Sequence, residues 1–303
     1  MENTILFGNG INLPNNESSW NGILKRLSSD NILSQITSNT LKYEYIVMPK
    51  RETYKAPWLL NGRMFMCGKQ ALCGISNMEN DNIKKKICQE LEMKNASCLY
   101  EELAKLNANH YITTNYELFL NNVFISMGYD NEIINNPTSR LFMHNKTKKG
   151  DDSVTLWNIH GDVKTPSSVM LGFAQYCQSV VEISNILANK ERDKNNWVDI
   201  FLNTNVHIVG LGLYEEEIDL WYLLVNRMRE YRHTKTNKNT IYYYMVSEGN
   251  LDKDKDKKSV LEAFNIKVIS VDKKGSWEDS YKEIFNIIRK SIGNRGTEDT
   301  SVT

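Results

Sequence analysis

Short apolar segments with the length of β-strands recur along this chain, separated by stretches with helical periodicity. The segments that predict strands are residues 3–7, 110–113, 154–159, 206–209, 241–246 and 267–271. Apolar positions spaced three to four residues apart predict helices between them, at residues 116–125, 178–190, 197–203 and 277–292. Two strongly polar stretches predict exposed loops, at residues 126–152 and 252–258. This alternation predicts an α/β fold with a doubly wound, mainly parallel, Rossmann-like sheet.

Residues 30–105 break the pattern. They contain no alternating strands, and their clearest elements are helices at 82–93 and 97–106. We therefore expect one domain over residues 1–292 with a mostly helical insertion at about 30–105. The last residues, 293–303, are polar and are expected to form a disordered tail.

Composition limits the classes of function. Lys and Arg together number 37, as do Asp and Glu, so no net charge favours binding to nucleic acid or to an anionic membrane. The N-terminus does not resemble a signal peptide, and the longest apolar run, near residues 206–213, is too short to span a bilayer. We therefore expect a cytoplasmic protein that binds neither membrane nor nucleic acid directly. The five cysteines form no C-x-x-C pair, so neither a disulfide framework nor a zinc ribbon is expected.

Four short segments rich in glycine and polar residues follow predicted strands. They are Gly8-Asn9-Gly10-Ile11-Asn12, Thr113-Thr114-Asn115-Tyr116-Glu117, Asn158-Ile159-His160-Gly161-Asp162 and Gly210-Leu211-Gly212-Leu213. The carboxyl ends of parallel strands lie at one edge of a sheet, and open α/β sheets bind their ligands at that edge. The sequence therefore predicts that these four segments line one pocket.

The residue types in these segments indicate chemistry near a phosphate or a ribose. Gly8 and Gly10 let the backbone approach a ligand and enter a helix whose N-terminus can accept phosphate. Leu13 stands where the dinucleotide fingerprint G-x-G-x-x-G has its third glycine, which disfavours an ordinary hydride-transfer enzyme. The Asn115 amide can hold a ribose hydroxyl or a water, and neutral His160 can accept a proton near pH 7. A helix cap and a structural histidine are the alternative interpretations of these two residues.

Taken together, the segments resemble the sirtuin-like NAD hydrolases of bacterial anti-phage defence, which are relatives of the sirtuin deacylases. Sirtuins carry G-A-G at the first segment, T-Q-N-x-D at the second and H-G at the third, and the resemblance spans about residues 3–225. It implies a sirtuin-like fold with NAD+ as substrate, Asn115 and His160 as catalytic residues, and no metal. Glu117 stands where sirtuins have an aspartate. The residues implied to contact NAD+ are Gly8, Asn9, Gly10, Asn12, Thr114, Glu117, Gly210, Gly212 and Leu213.

Departures from the sirtuin pattern favour hydrolysis over deacylation. Sirtuin deacylases have a four-cysteine zinc module after the H-G pair, whereas only Cys177 follows His160 here. Residues 13–20 replace the D-F-R stretch, and residues 170–176 resemble the defence proteins. The expected activity is cleavage of NAD+ to nicotinamide and ADP-ribose, or to a cyclised product, by the toxic effector of an abortive-infection system. The alternatives are a deacylase or ADP-ribosyltransferase in the same pocket, and a non-catalytic NAD- or nucleotide-binding regulatory module.

The resemblance also implies a gate, because an unregulated activity of this kind would kill the cell. A homo-oligomer or a separate sensor or regulatory subunit could supply that gate. Asp219 resembles an acid common in the defence proteins. Its place near the start of a predicted helix is accounted for by the helix dipole, and the sequence assigns it no further role.

Overall fold

The residues that the structure describes form one eight-stranded sheet that is covered by helices on both faces. The structure is a computed structural model that describes residues 1–14, 77–92, 94–134, 144–170, 173–189, 195–213, 217–234, 239–249, 251–273 and 275–293. The strands are β1 (Asn3–Phe7), β2 (His110–Thr113), β3 (Asp130–Ile134), β4 (His144–Lys149), β5 (Asp152–Asn158), β6 (Asn205–Val209), β7 (Ile241–Ser247) and β8 (Ile266–Asp272).

The order of strands places a ligand-binding crevice at a defined point. The sheet runs β3-β4-β5-β2-β1-β6-β7-β8. From β5 to β8 all neighbours are parallel, whereas β3 and β4 pair antiparallel at one edge. If the parallel strands are numbered in chain order, the sequence in the sheet is 3-2-1-4-5-6, which is the dinucleotide-binding order. That order reverses between β1 and β6, so the crevice is expected beyond the carboxyl ends of these two strands.

The helices form two layers, one on each face of the sheet. They are α1 (Asn77–Glu92), α2 (Leu99–Ala104), α3 (Phe119–Ser126), α4 (Phe173–Ala188), α5 (Trp197–Asn203), α6 (Ile218–Thr234), α7 (Leu251–Ala263) and α8 (Trp277–Gly293). On one face α2, α3 and α8 contribute Leu103, Phe124 and Ile284 to a buried cluster. On the other face α4 to α7 contribute Ile183, Phe201, Leu223 and Leu261 to a second cluster.

The central strands are apolar because both of their faces are buried. In β1, Ile5 and Phe7 belong to one cluster while Leu6, between them, belongs to the other. Every residue of β6 is buried, which explains why its sequence reads as a continuous apolar run apart from Asn205 and His207. The predicted α/β class and mainly parallel sheet are therefore confirmed.

Two predicted loops are wrong. Residues 126–152 contain β3 and β4, an antiparallel extension of the sheet in which Thr147 is fully buried. Edge strands with one exposed face carry polar residues, so composition alone suggested a loop. Residues 252–258 lie inside α7, where the charged side chains of residues 254–258 are exposed or half-buried and Leu261 supplies the buried contact.

Two helices lie in the described part of residues 30–105: α1, which starts before the predicted residue 82, and α2, which lies inside the predicted 97–106. The rest of the segment at 30–76, and the tail at 294–303, lie outside the described residues. The domain boundaries at 30, 105 and 292 therefore stay predictions. No helix among the described residues is long and apolar enough to cross a membrane.

Candidate functional site

The first and fourth glycine segments meet at the point where the strand order reverses. Gly10 donates its backbone N–H to the Gly210 carbonyl at 2.7 Å, and Gly8 donates to Val209 at 3.2 Å. A Cβ on Gly10 would lie 2.6 Å from the Gly210 oxygen and 2.5 Å from the Tyr281 hydroxyl, closer than real contacts allow. The two loops can touch only because no side chain intervenes. This packing accounts for Gly8 and Gly10, and contact with phosphate stays a prediction for them.

The end of the fourth segment is fixed by α7 and β7. Lys257 donates its ammonium to the Gly212 carbonyl at 2.5 Å and lies over the Tyr243 ring. Tyr243 in turn donates its hydroxyl to the Leu211 carbonyl at 2.9 Å. Leu213 is buried and adopts a φ of 39°, the left-handed region that leucine rarely occupies. This turn directs the chain from β6 towards Glu217 and α6.

The second segment is organised around the Glu117 carboxylate, which is only 7% exposed. Its Oε1 accepts hydrogen bonds from Asn115 Nδ2 at 2.7 Å, from Asn12 Nδ2 at 3.1 Å and from the Tyr100 hydroxyl. Asn12 Nδ2 also donates to Asn9 Oδ1 at 2.8 Å. We call these five residues the Glu117 cluster. They join the ends of β1 and β2 to α2 and hold the Asn115 amide in one orientation.

Burial and the Glu117 charge both raise the pKa of the Tyr100 hydroxyl. Burial raises the pKa of its hydroxyl well above the ordinary value, and the nearby Glu117 charge raises it further. Tyr100 therefore stays a protonated donor to the carboxylate.

The side-chain oxygen of Asn12 has no donor in this cluster. Oδ1 is buried and receives no hydrogen bond from the residues that the structure describes. A buried amide oxygen without a donor is costly, so this atom is suited to accept from a ligand hydroxyl or a water.

The second and third segments are joined through the backbone. Asn158 Nδ2 donates to the Asn115 carbonyl at 3.1 Å, and Ile159 N–H donates to the Thr113 carbonyl at 3.0 Å. On the other side, the Thr114 N–H donates to the Phe7 carbonyl at 3.4 Å, which ties β2 to β1. Asn115 and His160 are therefore carried by adjacent strand ends that are hydrogen-bonded to each other.

His160 is completely buried at the end of β5. Its Nε2 lies 3.0 Å from Asp219 Oδ2. Its Nδ1 lies 3.5 Å from the Tyr176 hydroxyl and 3.9 Å from Glu217 Oε2. Tyr176 packs edge-on against the imidazole with the ring centroids 5.1 Å apart. The third segment thus carries a histidine that is bracketed by two carboxylates and one phenol.

The loop after His160 is held by backbone contacts. Met170 N–H donates to the His160 carbonyl at 2.9 Å, and the Tyr116 hydroxyl donates to the Met170 carbonyl. Gly161 has a φ of +89°, and a Cβ there would lie 2.3 Å from the Ser168 carbonyl oxygen. Glycine is therefore required at this position by conformation and by space.

Sequence reasoning missed several partners of these residues. Tyr100 lies on α2, outside the four segments, and nothing in the local pattern marks it. Tyr176 ends the stretch 170–176 that resembles the defence proteins, but nothing in the sequence assigned this tyrosine a role. Asp219 was explained by the helix dipole, which is incomplete because its side chain is fully buried against His160. The sequence did carry a signal for this role. Asp219 follows an apolar strand and a glycine turn by a few positions, so this acidic residue lies at the same edge of the sheet as the other motifs.

His160, Glu217 and Asp219 also form the one group among the described residues whose potential metal-ligating atoms all lie within 4.8 Å of each other. The 3.0 Å separation of His160 Nε2 and Asp219 Oδ2 is that of a hydrogen bond, which already accounts for the contact. A site without metal stays a prediction. Among the described cysteines, Cys88, Cys98 and Cys177 are free thiols.

A family model described as SIR2-like domain matches residues 109–269, which is more than half of the chain. The match covers β2 to β8 in part or whole and includes Asn115, His160 and Asp219. It does not include β1, which the structure nevertheless places between β2 and β6 at the centre of the sheet. No curated protein matches the chain.

Proposed function

Because this chain belongs to the SIR2-like domain family, whose members use NAD+ as a substrate, we propose that it is an NAD+ hydrolase. The reaction breaks the bond between nicotinamide and C1′ of its ribose and yields nicotinamide and ADP-ribose. The observation that carries the proposal is the pairing of Asn115 and His160 on adjacent strand ends, each with its side chain fixed by buried carboxylates.

The Glu117 cluster supplies the binding half of the site. Asn12 Oδ1 is the buried acceptor that a ribose hydroxyl would satisfy. Asn115 Nδ2 is held by Glu117, so its amide is oriented before substrate arrives, and the cost of ordering it is avoided. Asn9, Thr114 and the glycines of the first and fourth segments surround the same edge and are proposed to contact the dinucleotide.

The chemistry needs little beyond orientation and a base. The nicotinamide ring of NAD+ carries a positive charge and leaves as a neutral molecule, so its departure needs no general acid. Positive charge develops at C1′, and a water adds there while His160 accepts its proton. General-base assistance of this type contributes roughly 10²- to 10⁴-fold. Only Cys177 follows His160 in this sequence, where sirtuin deacylases have four zinc-binding cysteines. This difference favours hydrolysis over deacylation.

We further propose that the enzyme is the toxic effector of an abortive-infection defence against phage. Its activity would then be gated, by assembly into a homo-oligomer or by a separate sensor subunit. Light scattering together with NAD+ turnover tests this gating. A constitutively active monomer would contradict it. The non-catalytic alternative predicts NAD+ binding with no loss of the dinucleotide.

Expression in bacteria tests the proposal. Induction of the parent chain, with phage infection as the trigger, is expected to deplete cellular NAD+ and arrest growth. The variants His160→Ala and Asn115→Ala are expected to leave the NAD+ pool intact. Matched controls are His233→Ala and Asn122→Ala, which change exposed residues of the same types on α6 and α3. Equal depletion by parent and both site variants would refute the assignment.

A further inference from the structure

The two nitrogens of the His160 imidazole have different surroundings. Nε2 faces Asp219 Oδ2 at 3.0 Å, whereas Nδ1 faces the Tyr176 hydroxyl at 3.5 Å and Glu217 Oε2 at 3.9 Å. The side chain of Glu217 is 13% exposed, while those of His160 and Asp219 are fully buried. The Nδ1 side is therefore the side nearer to solvent.

Asp219 is built to remain a carboxylate. Its Oδ1 accepts the Leu220 backbone N–H at 2.9 Å, and its Oδ2 accepts the Ser179 hydroxyl at 3.2 Å in addition to facing His160. It occupies the first turn of α6, where the helix dipole favours negative charge. Burial alone would raise the pKa of this carboxyl. When His160 carries a proton, its positive charge and the hydrogen bonds from His160, Leu220 and Ser179 outweigh burial and hold the pKa of Asp219 below its ordinary value. When His160 is neutral, the hydrogen bonds that Asp219 accepts from Leu220 and Ser179 remain.

An ionised carboxylate can only accept hydrogen bonds, so the nitrogen that faces it carries a hydrogen. A neutral imidazole has one N–H, and its second nitrogen then presents a lone pair. We infer that Asp219 is a positioning residue that holds His160 in the Nε2–H tautomer and so makes Nδ1 the nitrogen that takes the proton during NAD+ hydrolysis. The inference deepens the proposed function and, for its catalytic half, rests on it.

The oxygen of a water forms a bond to C1′ of the nicotinamide ribose, and the bond from C1′ to nicotinamide breaks with its electron pair going to the ring nitrogen. One proton of the water passes to His160 Nδ1 and is later released to solvent. The resulting imidazolium lies between Asp219 on one side and Glu217 on the other. Asp219 thus also stabilises the charge that forms on the base.

The tautomer can be read without any enzymatic assay. In ¹⁵N-histidine-labelled full-length protein, the two-bond ¹⁵N–¹H correlation pattern of a neutral imidazole distinguishes a protonated Nε2 from a protonated Nδ1. His160→Gln assigns the signals. The inference predicts the Nε2–H pattern in the parent and its loss in Asp219→Asn, whose amide can turn its N–H towards the ring. An Nδ1–H pattern in the parent would overturn the inference.

Steady-state kinetics test whether Asp219 positions His160 Nδ1 as the base for NAD+ hydrolysis. Asp219→Asn is expected to lower kcat at least 100-fold with KM changed less than about threefold, because removing the acid that orients a catalytic histidine leaves the wrong tautomer. Asp199→Asn is the matched control, since Asp199 is a buried acid at the N-terminus of α5 outside the site, and its kcat should equal that of the parent. Unchanged kcat in Asp219→Asn would overturn the positioning role. An Nε2–H tautomer in a protein that leaves NAD+ intact, both when purified and in phage-infected cells, would refute the proposed function and leave the tautomer assignment standing.

Discussion

Replacing Glu117 by Gln tests whether one carboxylate organises the binding half of the site. In the parent, Oε1 of Glu117 accepts from Asn115, Asn12 and Tyr100. A glutamine can place its carbonyl oxygen in the same position, so the shape of the Glu117 cluster is kept and only the charge is lost. The comparison therefore isolates the charge from the packing.

The expected magnitude follows from those three hydrogen bonds. A hydrogen bond to a charged group contributes about 1.5–3 kcal/mol and a neutral one about 0.5–1.5 kcal/mol, so each bond loses about 1 kcal/mol. Because all three share one oxygen and are not independent, we expect a loss of about 2 kcal/mol in the free energy of unfolding, or a fall in Tm of roughly 4 °C. Glu117→Ala should cost about 4 kcal/mol, since it also leaves buried donors unpaired.

The assay is thermal unfolding followed by circular dichroism, alongside NAD+ turnover. Glu102→Gln is the matched control: that glutamate is partly exposed and pairs with Lys105 and Arg289 at the surface, so its loss should cost less than about 1 kcal/mol. Turnover by Glu117→Gln should fall roughly 10-fold, because the weaker hydrogen bond to a neutral oxygen holds the Asn115 amide less firmly. If Glu117→Gln matches Glu102→Gln in both Tm and turnover, the charge does not organise the cluster.

Three further changes test other parts of the account. Gly161→Ala should destabilise the chain by about 2–4 kcal/mol and abolish turnover. The reason is that φ is +89° and the new Cβ would lie 2.3 Å from the Ser168 carbonyl oxygen. A Tm within 1 °C of the parent would contradict this expectation. Arg227→Met should cost about 2–4 kcal/mol in urea unfolding, since the buried guanidinium donates to Asn239 and to the Phe264 carbonyl; a loss below about 1 kcal/mol would show that these bonds are replaceable. Treatment with EDTA should leave NAD+ turnover unchanged, and a loss that Zn²⁺ or Mg²⁺ restores would show that His160, Glu217 and Asp219 hold a metal.

Much of the fold could be predicted because strands buried on both faces have a distinctive sequence. His110–Thr113 and Trp197–Asn203 have the bounds expected from apolar pattern alone. The hairpin of β3 and β4 could not be predicted in this way, because its residues are mostly polar and its pairing depends on β5. In α7 the alternating charges conceal the helix for a similar reason, since burial falls on few residues.

The placement of the four segments at the edge of the sheet could be predicted from the sequence, but their contacts could not. The motifs placed Asn115 and His160 at strand ends, since glycine turns after apolar runs mark the carboxyl edge of the sheet. Glu117, which holds Asn115, lies in the second segment, but the other partners of these two side chains come from helices. They are Tyr100 from α2, Tyr176 from α4 and Asp219 from α6. Such long-range contacts are set by the packing of whole elements, which no local pattern encodes.

The most direct test of the central claim is the quantification of nicotinamide and ADP-ribose after purified protein is incubated with NAD+, with His160→Ala measured in parallel. The account predicts equimolar release of the two products by the parent and at least a 100-fold lower rate for the folded variant. Equal release by parent and variant would contradict the role of His160. NAD+ that binds and stays intact, in a chain whose expression is also harmless during phage infection, would contradict the hydrolase itself.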